Sequence, residues 1–341
     1  MNKCITLVVR NLLVLLIFTG VCSLSAATTY VHPGDDLGAI LNSANPGDTV
    51  MVYPGEYGRV VLADKNGTET DPIIIRSMGG ATIKSYEPYE NALWLKNCDY
   101  IVFDVFTFTG GMRGAIVVDC DHIIFKNCTF TGVGQEGIHI LSSHYVDVRG
   151  GKIYNTGLLN PQWGEGVYAG SGSAYDLCSH IWVEGVEIYN TGNGEAVDYK
   201  PGVSHSTIRG CVIHDIAPGT STQSNEGAIV VNGYDTSVYV LPAPQYIWIE
   251  NNLVYNISGG LTGKNRGIVF FGSGVYVKSN IVHDCDDEGI LGSNWNNAGF
   301  TNWSYANWCY DNDPNSNYQY GNVVNLTDPG LNSQTRQVWF P

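Results

Sequence analysis

Short segments of alternating apolar and polar residues recur at regular intervals along this chain. The segment 97–110, NCDYIVFDVFTFTG, matches the segment 119–132, DCDHIIFKNCTFTG, position by position, 22 residues further on. Weaker copies of the same pattern begin at Tyr145, His180, His205, Tyr246 and Gly274. Alternation indicates strands rather than helices, and a fixed period of this length indicates one structural unit per repeat.

This pattern predicts an all-β, single-domain parallel β-helix, a solenoid in which each repeat forms one coil. A leucine-rich repeat is the competing interpretation, but its leucine-asparagine consensus is missing. The usual handedness of parallel crossovers predicts right-handed winding. Like residues of successive coils should then stack, with Cys98 over Cys120 as buried thiols.

The two ends of the chain differ from the repeats. Lys3 and Arg10, an apolar run over 11–21 and small residues at 23–27 have the order of a secretory signal peptide, which we place at 1–27. The remaining 28–341 would form the β-helix domain, with an N-terminal cap over about 28–60 and a C-terminal cap over about 293–341. Within the first cap, a short helix at 35–42 should cover the first coil with Leu37, Ile40 and Leu41.

Composition narrows the classes of protein that this chain can be. Of its 341 residues, 44% are hydrophobic, which excludes a disordered chain. It has 17 basic and 32 acidic residues, and losing Lys3 and Arg10 with the signal peptide takes the net charge from −15 to −17. That charge argues against nucleic acid as a partner. We expect a secreted, extracellular or periplasmic protein, a monomer that does not associate with a membrane.

A third segment in each coil starts at a charged residue followed by glycine or alanine. These segments begin at Glu136, Glu165, Glu195, Glu226, Arg266 and Glu288. Alternation assigns one inward position to Ile138, Val167, Val197 and Ala228. The next position faces outward and holds His139, Tyr168 and Asp198 on successive coils, with Lys200 two residues further along. The glutamate row itself is better interpreted as corners that hydrogen-bond to backbone than as a catalytic row.

Strand spacings place Tyr168 and Lys200 on one surface with their Cα atoms about 8 Å apart, enough to hold a sugar ring between the two tips. The motifs GEGVYAGSGS at 164–173 and GEAVDYKPG at 194–202 resemble those of β-helical polysaccharide lyases, most closely the alginate lyases of polysaccharide lyase family 31. The resemblance implies a right-handed β-helix, a lysine base at Lys200 and a tyrosine acid at Tyr168, acting on an anionic uronic-acid polysaccharide such as alginate.

β-Elimination from a uronan requires neutralisation of the carboxylate, removal of the C5 proton and protonation of the leaving oxygen. We hypothesise Lys200 as base, Tyr168 as acid, and His139 or Arg209 stabilising the carboxylate. Asp198 on the same face raises the cost of a neutral lysine, so the reversed roles stay open. The remaining candidates for binding substrate are Asp198, Glu165, Glu195 and Arg149. No cofactor is expected, although Glu165, Glu195 and Asp198 could offer oxygen ligands to Ca²⁺.

Two other functions fit the same scaffold. A glycoside hydrolase would use paired carboxylates, Glu165 with Asp198 or Glu195. A non-catalytic adhesin or glycan-binding β-helix would depend on the aromatic-rich loops near Trp163 and Trp303. A lyase is favoured over both, because Tyr168, Lys200 and His139 are expected together on adjacent coils and because the motifs resemble those of β-helical lyases. Alginate or another uronan as the substrate is what that resemblance implies.

Overall fold

A computed structural model describes residues 26–171, 173, 176–219, 227–233, 241–292 and 302–312, together with the backbone of short strands at 318–320 and 324–325. The described strands number 30, with one α-helix and one 3₁₀ turn at Pro161–Trp163. The signal peptide predicted at 1–27 falls almost wholly outside the described residues and stays a prediction. Among the described residues, no helix is long and apolar enough to span a bilayer.

The first half of the chain contains strands β1 to β14 and helix α1. They are β1 Thr28–Val31, α1 Leu37–Ser43, β2 Thr49–Val52, β3 Gly55–Gly58, β4 Val60–Ala63, β5 Ile73–Ser85, β6 Leu93–Lys96, β7 Asp99–Gly110, β8 Ala115–Val118, β9 Asp121–Lys126, β10 Thr129–Thr131, β11 Ile138–Leu141, β12 His144–Arg149, β13 Lys152–Tyr154 and β14 Val167–Ala169.

The second half continues the same succession. It contains β15 Cys178–Glu184, β16 Glu187–Tyr189, β17 Val197–Tyr199, β18 Val203–Arg209, β19 Val212–Ile216, β20 Ile229–Val231, β21 Gln245–Glu250, β22 Leu253–Ile257, β23 Ile268–Phe270, β24 Ser273–Lys278, β25 Ile281–Cys285, β26 Ile290–Gly292, β27 Asn302–Tyr305, β28 Trp308–Tyr310, β29 Tyr318–Tyr320 and β30 Val324–Asn325.

All described strand pairings are parallel, and each joins one coil to the next. The strands β4, β6, β8, β11, β14, β17, β20, β23, β26 and β29 form a small sheet of ten strands, and the other twenty form a large sheet. A complete coil such as β12–β13–β14 supplies two strands to the large sheet and one to the small sheet. The predicted all-β parallel solenoid is therefore confirmed.

The core consists of rows of apolar side chains that run through the coils. In the small sheet, Ile138, Val167 and Val197 are fully buried and lie in register, as predicted. The next member of the row was predicted wrongly, because Val197 pairs with Ile229 rather than Ala228. By this register, Gly227 rather than Glu226 occupies the position equivalent to Glu195, and Glu226 itself lies outside the described residues.

The N-terminal cap contains the predicted helix. Asp36 accepts a hydrogen bond from the Ala39 backbone N–H at 3.0 Å and so caps α1. Leu37 and Leu41 are buried in the main core, and Ile40 packs against it. The helix therefore covers the open end of the first coil, which has no preceding coil to shield its apolar residues.

At the other end, the repeat continues further than its sequence pattern suggests. Strand β27 pairs with β24, and β28 with β25, so the ladders extend beyond residue 293 to at least Tyr310. Most of the segment predicted as a C-terminal cap lies outside the described residues, and its boundaries stay a prediction. The predicted thiol ladder is present, since buried Cys98 donates its backbone N–H to Cys120 Sγ at 3.4 Å.

Candidate active site

Three neighbouring strands of the small sheet bring the predicted site residues together. In the registers of β11, β14 and β17, His139 lies beside Tyr168, and Tyr168 beside Asp198. Lys200 follows two residues after Asp198 and therefore points to the same face of the sheet. The alternate residues of these strands are buried in the core, which places the four polar side chains on the outer face.

The four side chains contact one another in a continuous series. Lys200 Nζ forms an ion pair with Asp198 Oδ2 at 2.6 Å and lies 5.2 Å from the centroid of the Tyr168 ring. The rings of His139 and Tyr168 meet edge to face with their centroids 4.8 Å apart. The sequence analysis expected a gap between the Tyr168 and Lys200 tips that could hold a sugar ring. The ammonium instead lies over the phenol ring, so the two tips leave no gap of that width.

Asp198 also belongs to a cluster of three buried carboxylates. Single oxygens of Glu165, Glu195 and Asp198 lie within 4.8 Å of one another. These residues are 2%, 1% and 0% exposed, whereas Tyr168 is 7% and Lys200 9% exposed. The phenol and the amine are therefore closer to the surface than the carboxylates.

Burial and neighbouring charges raise the pKa values of both Glu165 and Lys200, but they combine differently at the two residues. Burial raises the pKa of Glu165 well above its usual range, and the neighbouring Glu195 and Glu136 raise it further. Burial alone would lower the pKa of Lys200, but Asp198, Tyr168 and Glu195 outweigh it, so the Lys200 pKa lies well above its usual value. Burial and the neighbouring carboxylates thus favour the protonated form of Glu165, and the same neighbours favour the charged form of Lys200.

A charged Lys200 bears on the roles assigned from the sequence. A base must hold a free electron pair, and the ion pair with Asp198 keeps a proton on Lys200 instead. This is an argument against Lys200 as base and in favour of the reversed assignment, in which Tyr168 is the base. A negative charge on Tyr168 raises the Lys200 pKa, so a phenolate at Tyr168 and the ammonium of Lys200 would stabilise each other.

Sequence reasoning missed one cation that the fold brings to this region. Arg113 Nε lies 2.6 Å from Glu136 Oε2, and His139 Nδ1 lies 2.9 Å from Glu136 Oε1. Burial would raise the pKa of Glu136, but the hydrogen bond from His139 and the charges of His139 and Arg113 lower it overall. The signal available in the sequence was the Arg113–Gly114 dipeptide, which stands one coil before Glu136–Gly137 in the same corner motif.

The two predicted arginines lie elsewhere. Arg149 ends β12 and Arg209 ends β18, both in the large sheet, and each pairs in register with Glu184. Arg209 forms ion pairs with Glu184 and, at 3.4 Å, with Glu250. The structure therefore brings His139, Asp198, Glu165 and Glu195 to Tyr168 and Lys200, but it does not bring Arg149 or Arg209 there.

The carboxylate cluster does not fit Ca²⁺ well. Calcium takes about 6–8 oxygen ligands, whereas Glu165, Glu195 and Asp198 supply one side-chain group each. In addition, the Lys200 ammonium already lies against Asp198 Oδ2. Among the described residues these three are nevertheless the one set of carboxylate, imidazole or thiol groups close enough together to share an ion.

An open groove adjoins the corner that leads into β14. Its volume is about 440 Å³, and it is lined by Asn155, Thr156, Gly157, Leu158, Pro161, Asn190, Gly192, Asp215 and Ala217. Thr156 Oγ1 hydrogen-bonds to the carbonyl of Gly164, which connects this groove to the segment carrying Tyr168. Trp163, on the same insertion, is 38% exposed, while Trp303 in β27 is half-buried.

Comparison with known proteins supports the fold. Residues 91–236 match the family model described as a right-handed beta helix region. A search among curated proteins returns no significant match.

Several solved structures are similar over most of the chain. An alginate lyase from Paenibacillus sp. str. FPU-7 superposes with a TM-score of 0.69 and 22% identity, over 88% of this chain and 99% of that one. A mannuronic acid specific polysaccharide family 6 lyase from human gut microbiota gives 0.54 and 14%, over 88% and 80%. The adhesin PfbA of Streptococcus pneumoniae gives 0.55 and 12%, over 84% and 92%.

These structures share an architecture that serves both lyases and an adhesin, so at such identities they establish the fold alone. The resemblance to β-helical polysaccharide lyases is confirmed in its scaffold, while membership of family 31 stays a prediction. The chain folds as a right-handed parallel β-helix.

Proposed function

We propose that this protein is a secreted polysaccharide lyase that cleaves an anionic uronic-acid polysaccharide, with alginate as the first candidate. The observation that carries the proposal is the contact of the Lys200 ammonium with the Tyr168 ring, 5.2 Å from its centroid, on the outer face of adjacent coils. His139 extends this group to a third coil. Similarity to an alginate lyase structure supports the choice of substrate.

In the mechanism that the geometry supports, Tyr168 removes the C5 proton and Lys200 with His139 neutralises the carboxylate. The electrons of the C5–H bond form the C4=C5 double bond while the C4–O bond breaks. Tyr168 then returns its proton to the leaving oxygen, so that no external proton is needed. Asp198 holds Lys200 in place through the ion pair of 2.6 Å.

The charge of the site is compatible with an anionic substrate only if some carboxylates are neutral. Burial and the neighbouring carboxylates raise the pKa of Glu165 and so favour its neutral form, and Lys200 compensates Asp198. The uronate would then meet Lys200 and His139 at the surface, above the buried carboxylates. The protein as a whole repels polyanions, so we expect binding to strengthen as salt screens that repulsion, up to the point where the local contacts are screened as well.

The direct test is an assay of the mature protein on alginate, polymannuronate, polyguluronate, pectate and hyaluronan, with and without a chelator. Lyase activity creates a C=C bond whose ultraviolet absorbance rises with time. We expect activity that survives chelation and falls on the order of 10³-fold in Tyr168→Phe, the loss typical of a missing acid–base group. Tyr189→Phe is the matched control, since Tyr189 is an outward tyrosine stacked 4.9 Å from Tyr154 in the large sheet. Full activity in Tyr168→Phe would refute the assignment.

A glycoside hydrolase is the second candidate, because Glu165 and Asp198 oxygens lie within 4.8 Å and burial raises the pKa of Glu165. Retaining glycosidases pair a protonated carboxylic acid with a carboxylate about 5–5.5 Å away. The near-complete burial of Glu165, Glu195 and Asp198 disfavours this function, because both carboxyl groups of a glycosidase must contact the sugar. New reducing ends without ultraviolet absorbance would indicate the hydrolase, and binding without any cleavage would indicate an adhesin.

A further inference from the structure

A serine hydroxyl lies between two imidazoles on the outer face of the large sheet. His144 of β12 and Ser179 of β15 pair in register, and His144 Nδ1 lies 2.8 Å from Ser179 Oγ. His180, the next residue along β15, places its own Nδ1 3.0 Å from the same oxygen. All three residues are partly exposed, and they lie on a different sheet from Tyr168 and Lys200.

We propose that Ser179 is the nucleophile of a second catalytic site, with His144 as its base, and that this site hydrolyses carboxylic acyl esters. A hydroxyl that is hydrogen-bonded to an imidazole is the arrangement by which many enzymes activate a serine. The inference goes beyond the proposed lyase function and does not depend on it.

The two hydrogen bonds to Ser179 must run in opposite directions. A serine hydroxyl has one hydrogen, so it donates to one imidazole and accepts an N–H from the other. Burial, together with the neighbouring imidazoles of His205 and His144, lowers the pKa of His180 to about 4. A ring with so low a pKa holds an added proton poorly, so His180 suits the donor role and His144 the role of base.

A carboxylate lies on the other side of the base. Asp121 of β9 pairs in register with His144, so a carboxylate, an imidazole and a hydroxyl follow one another on three adjacent strands. Asp121 also contacts His122 Nδ1 at 2.6 Å. Adjacent strands are about 4.8 Å apart, so the charge of Asp121 favours the imidazolium that His144 forms on taking the serine proton. Carboxylate, imidazole and hydroxyl in that order make up the triad of serine hydrolases.

The repeat by itself does not produce this contact. The next coil carries the same dipeptide, Ser204–His205, and Ser204 pairs in register with Ser179. On its preceding coil Ser204 therefore meets a serine, whereas Ser179 meets His144. Within the described part of the chain, the Ser204 hydroxyl makes no hydrogen bond to an imidazole. The pair of imidazoles is thus particular to Ser179.

The reaction balances with water as the second reactant. Ser179 Oγ attacks the ester carbonyl carbon while its hydrogen passes to His144 Nδ1, and the alcohol then leaves with that proton as its C–O bond breaks. Water attacks the acyl group on Oγ and gives a proton to His144, and the carboxylic acid leaves as the proton returns to Oγ. The N–H of His180, 3.0 Å from Oγ, is placed to donate to the carbonyl oxygen while that oxygen is negative.

The experiment treats the full mature chain with a fluorophosphonate, maps the labelled peptide by mass spectrometry, and measures hydrolysis of p-nitrophenyl acetate. We expect the label on Ser179 and steady release of p-nitrophenol. Ser179→Ala should reduce both to the level of a protein-free control, and His144→Gln should slow both about 10²-fold. Ser204→Ala is the matched control and should behave as the wild type.

The mapping needs no variant, so the inference can fail even if a substitution prevents folding. A wild type that takes no label, a label on Ser204 or on a histidine, or undiminished hydrolysis in folded Ser179→Ala would overturn it. Acetate release from an O-acetylated uronan would identify sugar esters as the substrate, and hydrolysis of p-nitrophenyl acetate alone would identify esters of small alcohols. Uronan cleavage should be the same in Ser179→Ala as in the wild type, so the ester assay and the lyase assay succeed or fail separately.

Discussion

Two rows of charged residues run across the coils of this β-helix, and they are built differently. The row on the large sheet alternates in sign over much of its length, with Glu184, Arg209 and Glu250 in register on successive strands. The row entering the small sheet has Glu136, Glu165 and Glu195 on successive coils. Parallel strands hold the residues of both rows about 4.8 Å apart. Neighbouring charges therefore attract each other in the row on the large sheet, whereas neighbouring glutamates repel each other in the row entering the small sheet.

The ends of the second row are compensated, by Arg113 at Glu136 and by Arg266 at Glu288. At its centre, Glu165 and Glu195 lie close to Asp198, which forms an ion pair with Lys200. Three buried carboxylates this close together, next to a phenol and an amine, are typical of a functional site, where groups with shifted pKa values are tolerated for chemistry.

Among the substitutions that test this comparison, replacing Lys200, which pairs with Asp198, should have the largest effect on stability and activity. Lys200→Met leaves Asp198 fully buried without its partner, and we expect a loss of about 3 kcal/mol in the free energy of unfolding. Lyase turnover should fall about 10²–10³-fold, because the carboxylate loses its main cation. Denaturant unfolding and initial rates measure the two effects. A stable variant with full turnover would mean that the charges near the small sheet matter no more for function than those of the row on the large sheet.

Removing one carboxylate should act in the opposite direction. The Glu165 pKa is raised in the folded protein, so the stability it contributes is present in acid and is lost as pH rises through that folded-state pKa. Glu165→Gln should abolish this loss and stabilise the protein by about 1 kcal/mol at alkaline pH, while retaining lyase activity. Thermal unfolding across a pH series provides the measurement, with Glu187→Gln on the large sheet as the control. A variant that is less stable at high pH would contradict the comparison.

Breaking the alternating row should have the smallest effect, and only on stability. Arg209→Met leaves Glu184 and Glu250 facing each other across one strand, and since Arg209 is half-exposed we expect a cost of about 1 kcal/mol. Because the row lies in the large sheet, uronan cleavage should not change. A loss of turnover at constant stability would restore Arg209 to the substrate-binding role predicted from the sequence.

Much of the fold could be predicted because β-helix coils repeat. The match of 97–110 with 119–132 indicated the coil, and alternation correctly placed Tyr168 and Asp198 on the outer face. The register was wrong at Ala228 because Glu226–Gly227 matches the corner motif in the sequence, whereas strand pairing puts Gly227 at the position of Glu195.

The candidate site was predicted less completely. Arg209 is only nine positions after Lys200, and its charge suited the role, yet the corner after β17 directs it into another sheet. Arg113 is 55 positions before Tyr168, so their separation in the sequence does not indicate that they are near each other. The stacking of coils brings Arg113 to Glu136, beside His139.

Alternation and repeat length, which are local properties of the chain, were enough to predict the parallel solenoid and the outward positions of Tyr168 and Asp198, but not the register at Ala228. The pairing of charges was decided only by the tertiary structure, because an ion pair depends on side-chain distances between coils. That is why the raised pKa values of Glu165 and Lys200 and the contact of Arg113 with Glu136 follow from packing rather than from residue type.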